Sequence, residues 1–218
     1  MAHKAIDETQ TIVIDREGEE TEGGMWDFLN IHSLHTKGKK RLLIVGDSIT
    51  GGINGVIRDI INPAWVVDSY TTSLPIHDRD FLSNLEMALT ASGEAYDVVH
   101  FNNGGHGHES PQTYERCYRE VIALIKKLQP KAKIVLATCI VSYIPEADGS
   151  FVRRNENWHR YTDARDVVCR RLADEYELCL NDLASYSPTI KDDHSKDGVH
   201  YTPEGSRKLA FQVIKFAR

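Results

Sequence analysis

From residue 41 onward, the chain alternates short apolar runs with longer stretches whose apolar residues recur at helical spacing. Short runs that are rich in β-branched residues predict buried strands, and their alternation with helices is typical of βαβ units in a parallel sheet. The predicted strands lie at residues 42–45, 65–68, 98–101, 134–137 and, as the weakest of the five, 178–180. We therefore predict an α/β domain in which a five-stranded parallel sheet lies between two layers of helices.

Helices are predicted between the strands and at the end of the chain. The third is the clearest, because its apolar residues from Tyr114 to Leu128 fall on one stripe. The last begins after Thr202, which can cap it, and has Pro203 at its first helical position. The predicted ranges are 53–61, 79–91, 113–128 and 157–176, followed by the C-terminal helix. In such sheets ligands bind beyond the carboxyl ends of the strands, so the loops there are where chemistry is expected.

Length and composition indicate one globular domain with an added N-terminal segment. A chain of 218 residues that is 41% hydrophobic can bury a full core without metals or disulfides. The composition shifts near residue 40, so we predict an N-terminal appendage at residues 1–40 and the main domain at residues 41–218. Within the appendage, residues 11–15 predict a short strand, and residues 26–34 carry enough apolar side chains to pack on the domain or to form an oligomer contact.

Charge and cysteine content disfavour several classes of function. The net charge of −6 argues against a binder of nucleic acid or of anionic membranes, so a small-molecule substrate is expected. The four cysteines lie far apart without a CxxC pair, which indicates free thiols and no metal site. No stretch approaches the roughly 18 apolar residues of a membrane span. We expect a cytoplasmic protein without a cofactor, or a secreted one if a leader precedes this sequence.

The first candidate for chemistry is Ser48, which follows Gly46 and Asp47 directly after the first predicted strand. A serine at such a strand-to-helix turn is exposed, and the backbone N–H groups of a helix N-terminus can stabilise an anion. A phosphate site is disfavoured, because the turn has neither the lysine of a P-loop nor a GxGxxG pattern. A plain helix cap is the remaining alternative when this turn is considered alone.

The second candidate lies at the far end of the chain, where Asp197 and His200 follow the last predicted strand. With a separation of three positions in a turn, the carboxylate can orient the imidazole and stabilise its protonated form. The other ring nitrogen can then accept a serine proton. Together with Ser48, the two residues form a candidate catalytic triad.

Ser48, Asp197 and His200 resemble the GDS and DxxH blocks of the SGNH (GDSL-like) hydrolase superfamily, and residues 41–218 match its layout. The resemblance implies a flavodoxin-like three-layer α/β/α fold. It also implies a serine hydrolase that cleaves esters through an acyl-serine intermediate, with Ser48 as the nucleophile.

Two further blocks of this superfamily supply donors to an oxyanion hole, and this sequence departs from both. The resemblance puts Ser73 where a glycine N–H is usual, and a backbone donor survives that change if the turn is kept. It puts His106 where an asparagine side chain is usual, within the stretch Gly104-Gly105-His106-Gly107. A histidine can donate only in the right tautomer or charge state, and Asn103 is a second candidate for this role.

Other polar clusters have a plainer interpretation. The histidines at 100, 106 and 108 and the run at 192–194 invite a metal site, but their spacing does not give three ligands with supporting partners. The long connection from Cys139 to Trp158 lies beside the predicted active edge. It either shapes a substrate pocket or forms a surface loop.

The sequence favours a serine esterase for short acyl esters, with an O-acetylated carbohydrate as the first substrate hypothesis. No long apolar lid is present, which disfavours a lipase and leaves thioesterase and lysophospholipase as alternatives within the class. A noncatalytic carbohydrate-binding protein of the same fold is the alternative from another class. Its motivation is the pair of departures at Ser73 and His106, because a fold alone does not decide function.

Overall fold

The computed structural model describes residues 25–217, with the backbone alone for residues 156–158. The strands are β1 (Asp27–Asn30), β2 (Lys40–Gly46), β3 (Trp65–Thr72), β4 (Val98–Phe101), β5 (Lys133–Ala137), β6 (Tyr143–Pro145), β7 (Phe151–Arg153) and β8 (Cys179–Asn181). The helices are α1 (Ser48–Ile60), α2 (Phe81–Thr90), α3 (Pro111–Leu128), α4 (Glu156–Glu175), α5 (Leu183–Tyr186) and α6 (Pro203–Ala217), with a 3₁₀ segment at Ser187–Asp193.

The main sheet has the order β1-β3-β2-β4-β5-β8. The five strands from β3 to β8 are parallel to one another, and in sequence order they follow the 2-1-3-4-5 arrangement of flavodoxin-like folds. The predicted α/β architecture with five parallel strands is therefore confirmed. One correction is needed, because the sheet has a sixth strand: β1 pairs with β3 in antiparallel orientation at the edge.

Both faces of the sheet are covered by helices. Successive residues of a strand point to opposite faces, so Leu43 and Val45 of β2 pack toward α2, α3 and α4, whereas Leu42 and Ile44 pack toward α1 and α6. Each face carries its own apolar core, and the central strand residues are almost wholly buried. This is the three-layer α/β/α arrangement that the sequence predicts.

The structure adds elements that the sequence does not predict. The connection after Cys139 contains the antiparallel hairpin of β6 and β7, and residues 183–193 form short helical turns. Elements of three or four residues are too short to show a periodicity. Helix α1 begins at Ser48, five residues before its predicted start. The prediction missed the first turn because Gly51 and Gly52 lower the helix propensity there. The strand predicted at residues 11–15 lies outside the described residues.

All four cysteines are free thiols. Within residues 25–217, no helix has the length and apolar content that crossing a bilayer requires.

A buried carboxylate ties the segment before β2 to the sheet. Asp68 of β3 is inaccessible to solvent and accepts hydrogen bonds from the backbone N–H groups of His32 and Ser33, at 2.7 and 2.8 Å. Its second oxygen accepts from the hydroxyls of Ser33 and Tyr96. Arg41 donates to the carbonyl oxygen of Ser33 at 3.1 Å. Residues 27–33 therefore pack on the sheet, although they belong to the predicted appendage.

We expect Asp68→Asn to lower the free energy of unfolding by about 2 kcal/mol, because the amide nitrogen would face two hydroxyls that donate to a carboxylate oxygen in the wild type. Urea unfolding followed by circular dichroism measures the change. Asp59→Asn, at an exposed position of α1, is the matched control and should lie within about 0.5 kcal/mol of the wild type. Equal stability of the two variants would show that this network does not hold the segment.

Candidate active site

Ser48 is the first residue of α1, immediately beyond the carboxyl end of β2. Asp47 caps the helix, and its side chain accepts a hydrogen bond from the N–H of Ile49 at 3.0 Å. The turn requires glycine at position 46, because a Cβ atom there would collide with the side chain of Thr50. The Ser48 hydroxyl is thus held at the carboxyl edge of the sheet, beside the first N–H groups of α1, which have no acceptor within the helix.

The structure brings Ser48, His200 and Asp197 together. Nε2 of His200 lies 2.9 Å from Oγ of Ser48, and Nδ1 of His200 lies 2.7 Å from Oδ2 of Asp197. The other oxygen of Asp197 accepts hydrogen bonds from the N–H groups of Val199 and His200, at 2.8 and 2.9 Å, and from the hydroxyl of Ser195 at 2.8 Å. The three residues predicted from the two ends of the chain therefore form one continuous hydrogen-bonded relay.

The electrostatics of Asp197 suit this arrangement. Partial burial alone would raise the pKa of its carboxyl group, but the hydrogen bonds from His200, Val199 and Ser195 outweigh that effect and hold the pKa well below its usual range. The carboxylate therefore stays ionised and accepts the Nδ1–H of His200. In that tautomer, Nε2 presents its lone pair to the hydroxyl of Ser48.

The loop that carries Asp197 and His200 is fixed by the β6–β7 hairpin. The N–H of Tyr143 donates to the carbonyl oxygen of Gly198 at 2.7 Å, and the guanidinium of Arg154 donates to the carbonyl oxygen of Asp197 at 2.9 Å. The sequence did not predict that Tyr143 and Arg154 would fix this loop. The only available signal was Gly198 itself, whose φ of 69° marks a backbone conformation that favours glycine.

A cavity of about 890 Å³ opens beside these residues. Its outer wall includes Met25, Ser73, His106, Arg154 and Tyr161. Ile44, Ile57 and Leu209 border its floor between α1 and α6, but they are at most 1% exposed. Solvent therefore hardly reaches the residues at the floor of the cavity.

The structure does not support the predicted donor at Ser73. The N–H of Ser73 donates to the carbonyl oxygen of Trp26 at 3.0 Å, and its hydroxyl accepts from the N–H of Trp26 at 2.8 Å. The physical reason is the edge strand β1, because the antiparallel pairing with β3 continues past the end of both strands to this pair. The N–H that the prediction needs for an oxyanion is therefore already bonded.

The other two predicted donors differ in position. The amide nitrogen of Asn103 donates to the carbonyl oxygen of Leu74 at 3.0 Å, and this buried side chain is not among those that border the cavity. His106 does border the cavity, with its ring edge-on to that of Trp26 at 6.2 Å. Of the two side chains, His106 is the one that can face a substrate.

No protein-family model matches this chain, and no curated protein matches it significantly. Several solved structures do share its architecture. An acetyl xylan esterase, AlAXEase, is 22% identical in sequence and superposes with a TM-score of 0.60. The alignment covers 80% of this chain and 98% of the esterase chain. A lipase/acylhydrolase from Enterococcus faecalis is 15% identical with a TM-score of 0.58, covering 81% and 94%. A candidate SGNH hydrolase from Slackia heliotrinireducens is 19% identical with a TM-score of 0.61, covering 83% and 100%.

This chain has the SGNH-hydrolase fold. The fold explains why the candidate residues meet, because the carboxyl ends of parallel strands lie at one edge of the sheet. Ser48 follows β2, the loop at residues 102–110 follows β4, and the Asp197 loop follows β8 and the short turns after it.

Two further histidines, His100 and His194, are accounted for by packing. His100 of β4 is buried beside Asn181, 3.0 Å away, and desolvation lowers its pKa to about 4. His194 packs against Tyr143 and Tyr201, and burial lowers its pKa as well. Within the part of the chain that the structure describes, no group of three or more potential ligands is arranged to hold a metal ion.

Gly198→Ala should disrupt the candidate site more than a comparable glycine change elsewhere. A Cβ atom at position 198 would collide with the carbonyl oxygen of Tyr143, in addition to the strain of a positive φ. Gly38 has a similar φ of 73° and open space around it, so Gly38→Ala isolates the φ strain. We expect losses in free energy of unfolding of about 1 kcal/mol at position 38 and about 3 kcal/mol or more at position 198. Equal losses, measured by urea unfolding, would contradict the contact with Tyr143.

Proposed function

We propose that this chain is a serine esterase in which Ser48, His200 and Asp197 form the catalytic triad. The observation that carries the proposal is the relay of two hydrogen bonds, 2.7 and 2.9 Å long, from the carboxylate through the imidazole to the hydroxyl. An imidazole held between these two groups can take the hydroxyl proton as attack on a carbonyl carbon begins.

The proposed reaction has two half-reactions. Oγ of Ser48 attacks the carbonyl carbon of the ester while its proton passes to Nε2 of His200. The tetrahedral intermediate expels the alcohol, which takes that proton, and an acyl group remains on Ser48. A water molecule activated by the same imidazole then hydrolyses the acyl-serine and releases the carboxylic acid. Asp197 stabilises the imidazolium in both half-reactions.

The charge that develops on the carbonyl oxygen needs donors already oriented toward it. The N–H of Ser48 belongs to the first turn of α1, where N–H groups lack helical partners and the helix dipole favours an anion. The side chain of His106 is the second proposed donor. Ser73 is not part of the proposed mechanism, because its N–H is bonded to Trp26.

The shape of the cavity supports a short acyl group. The floor residues Ile57 and Leu209 border the cavity and yet are wholly inaccessible. An acetyl group needs little depth beyond the carbonyl carbon, whereas a long alkyl chain would have to separate α1 from α6. This favours an acetylesterase over a lysophospholipase or a long-chain thioesterase.

Two aromatic rings beside the cavity support a carbohydrate as the alcohol part of the substrate. Trp26 and Phe28 lie side by side at 5.8 Å with nearly parallel rings, and Phe28 is 59% exposed. They border a shallow second cavity of about 520 Å³, together with the amides of Asn30 and Asn54 and the bare backbone of Gly51. Flat apolar faces next to amide groups fit the CH faces and hydroxyls of a sugar. One of the structural neighbours is an acetyl xylan esterase.

A noncatalytic carbohydrate-binding protein of the same fold is the second candidate. The observation that favours it is the bonded N–H of Ser73, because loss of a single oxyanion donor can lower turnover by about a hundredfold or more. Under this alternative the sugar surface at Trp26 and Phe28 would be retained without turnover of esters.

We expect the pure protein to release nitrophenol from nitrophenyl acetate faster than from the octanoate, and Ser48→Ala to abolish both activities, because the proposed acyl intermediate forms on Ser48. A loss of at least about 10³-fold in kcat is expected. Ser83→Ala, at an exposed position of α2, should retain wild-type rates. Wild-type protein that is as inactive as Ser48→Ala on these esters and on acetylated sugars would favour the noncatalytic alternative.

Trp26→Ala should separate sugar recognition from ester chemistry. We expect kcat/KM on an acetylated oligosaccharide to fall about tenfold, which corresponds to the ~1.4 kcal/mol that one stacked ring contributes. The rate on nitrophenyl acetate, which has no sugar, should change less than about twofold. Phe211→Ala removes an exposed ring from α6 and serves as the control. Equal loss on both substrates would mean that Trp26 acts on the chemistry and not on the sugar.

A further inference from the structure

A single buried arginine of α4 binds the backbone of the loop after β4. Arg165 of α4 donates from Nη1 to the carbonyl oxygens of Gly104 and His106, at 2.8 and 2.9 Å. It donates from Nη2 to the carbonyl oxygen of Gly107 at 2.6 Å. Its side chain is only 2% exposed. Three carbonyl groups in four consecutive residues are therefore turned toward a single guanidinium.

The arginine is itself fixed by a buried acid. Nη2 of Arg165 lies 3.0 Å from Oε2 of Glu109, which is 3% exposed, and the same oxygen lies 3.0 Å from Nδ1 of His77. Burial would raise the pKa of Glu109, but His77 and Arg165 outweigh it and lower the pKa. Because burying an ion pair seldom adds net stability, such a network is better explained by the geometry that it imposes.

That geometry determines where the N–H groups of the loop point. A peptide unit is planar, with its C=O and N–H on opposite sides. The carbonyl oxygen of Gly104 faces Arg165, so the N–H of Gly105 points away from α4. The opposite side is the start of α1, because a Cβ atom on Gly105 would lie 2.5 Å from Oδ2 of Asp47, the residue before Ser48. Gly105 also borders the cavity that contains Ser48.

Within the described part of the chain, the N–H of Gly105 has no acceptor. It lies on the nucleophile's side of the loop and belongs to a fixed peptide unit, which is what an oxyanion donor requires. Because the N–H of Ser73 is bonded to Trp26, one of the expected oxyanion donors is missing. The N–H of Gly105 can take its place without any change in the backbone.

We propose that Arg165 is a positioning residue, which points the N–H of Gly105 at the oxyanion of the ester. This inference rests on the proposed serine esterase function and adds a donor to it. This accounts for Ser73 at the position where a glycine donor is usual. The edge strand uses the N–H of Ser73, and the loop after β4 supplies the N–H of Gly105 as the donor instead.

The test uses Arg165→Lys in the full chain. Lysine keeps the positive charge beside Glu109 but cannot donate to three carbonyl oxygens in a fixed plane. We expect kcat on nitrophenyl acetate to fall by roughly a hundredfold with KM changed less than about threefold, because the lost contact acts only in the transition state. A boronic acid, whose adduct on Ser48 mimics the tetrahedral intermediate, should bind more weakly by a similar factor. Arg170→Lys, five residues along α4 and paired with Asp182, should behave as wild type in both measurements.

The outcomes separate this inference from the proposed function. An active wild type with an equally active Arg165→Lys variant would overturn the role of Arg165 and leave the esterase intact. A rise in KM with kcat unchanged would also overturn it, because it would indicate substrate binding. A wild type that neither hydrolyses esters nor binds the boronic acid would overturn the proposed function, and this inference with it.

A second measurement needs no substitution and so holds even if the Arg165→Lys variant fails to fold. Only three glycines in the chain directly follow another glycine, at positions 24, 52 and 105. Protein labelled with carbonyl-¹³C and ¹⁵N glycine therefore gives three signals in a carbonyl-filtered amide spectrum. On addition of the boronic acid we expect the Gly105 signal to shift strongly downfield and the Gly52 signal, on the far side of the first helical turn, to move little. An unshifted Gly105 signal in the adduct would overturn the proposed donor.

Discussion

The hydrogen bond between His200 and Ser48 joins the two ends of the domain. Ser48 begins the helix after the first parallel strand, whereas His200 lies in the loop before the last helix. The two side chains meet because α1 and α6 pack side by side on one face of the sheet, over a shared apolar core. The geometry of the proposed triad therefore depends on that core and on the hairpin contacts that fix the Asp197 loop.

The added edge strand has two opposite effects on the site. It brings Trp26 and Phe28 to the border of the shallow second cavity, which is the proposed sugar surface. The same pairing also uses the N–H of Ser73, which would otherwise be free for an oxyanion. The proposed donor at Gly105 reconciles the two, because Arg165 orients the loop after β4, in which the N–H of Gly105 is not used by the edge pairing.

The sequence was sufficient for the parallel sheet and for the meeting of Ser48, Asp197 and His200, because strand periodicity and two short polar turns carry that information locally. It was insufficient for Ser73, since the fate of its N–H depends on pairing with a segment 47 residues earlier. The role of Arg165 could not be predicted for a similar reason, because a charged residue in a helical stretch predicts a solvated face. Only the packed structure shows that it lies under the glycine-rich loop. The β6–β7 hairpin was missed because its strands have three residues each.

The most direct test of the central claim is to find the acyl group on Ser48. Protein mixed with nitrophenyl acetate, quenched in acid during turnover and digested, should yield a peptide containing Ser48 that carries the added mass of one acetyl group. The same peptide from His200→Ala should remain unmodified. Steady hydrolysis of the ester with no acetyl group on that peptide, or with the acetyl group on another residue, would contradict the account.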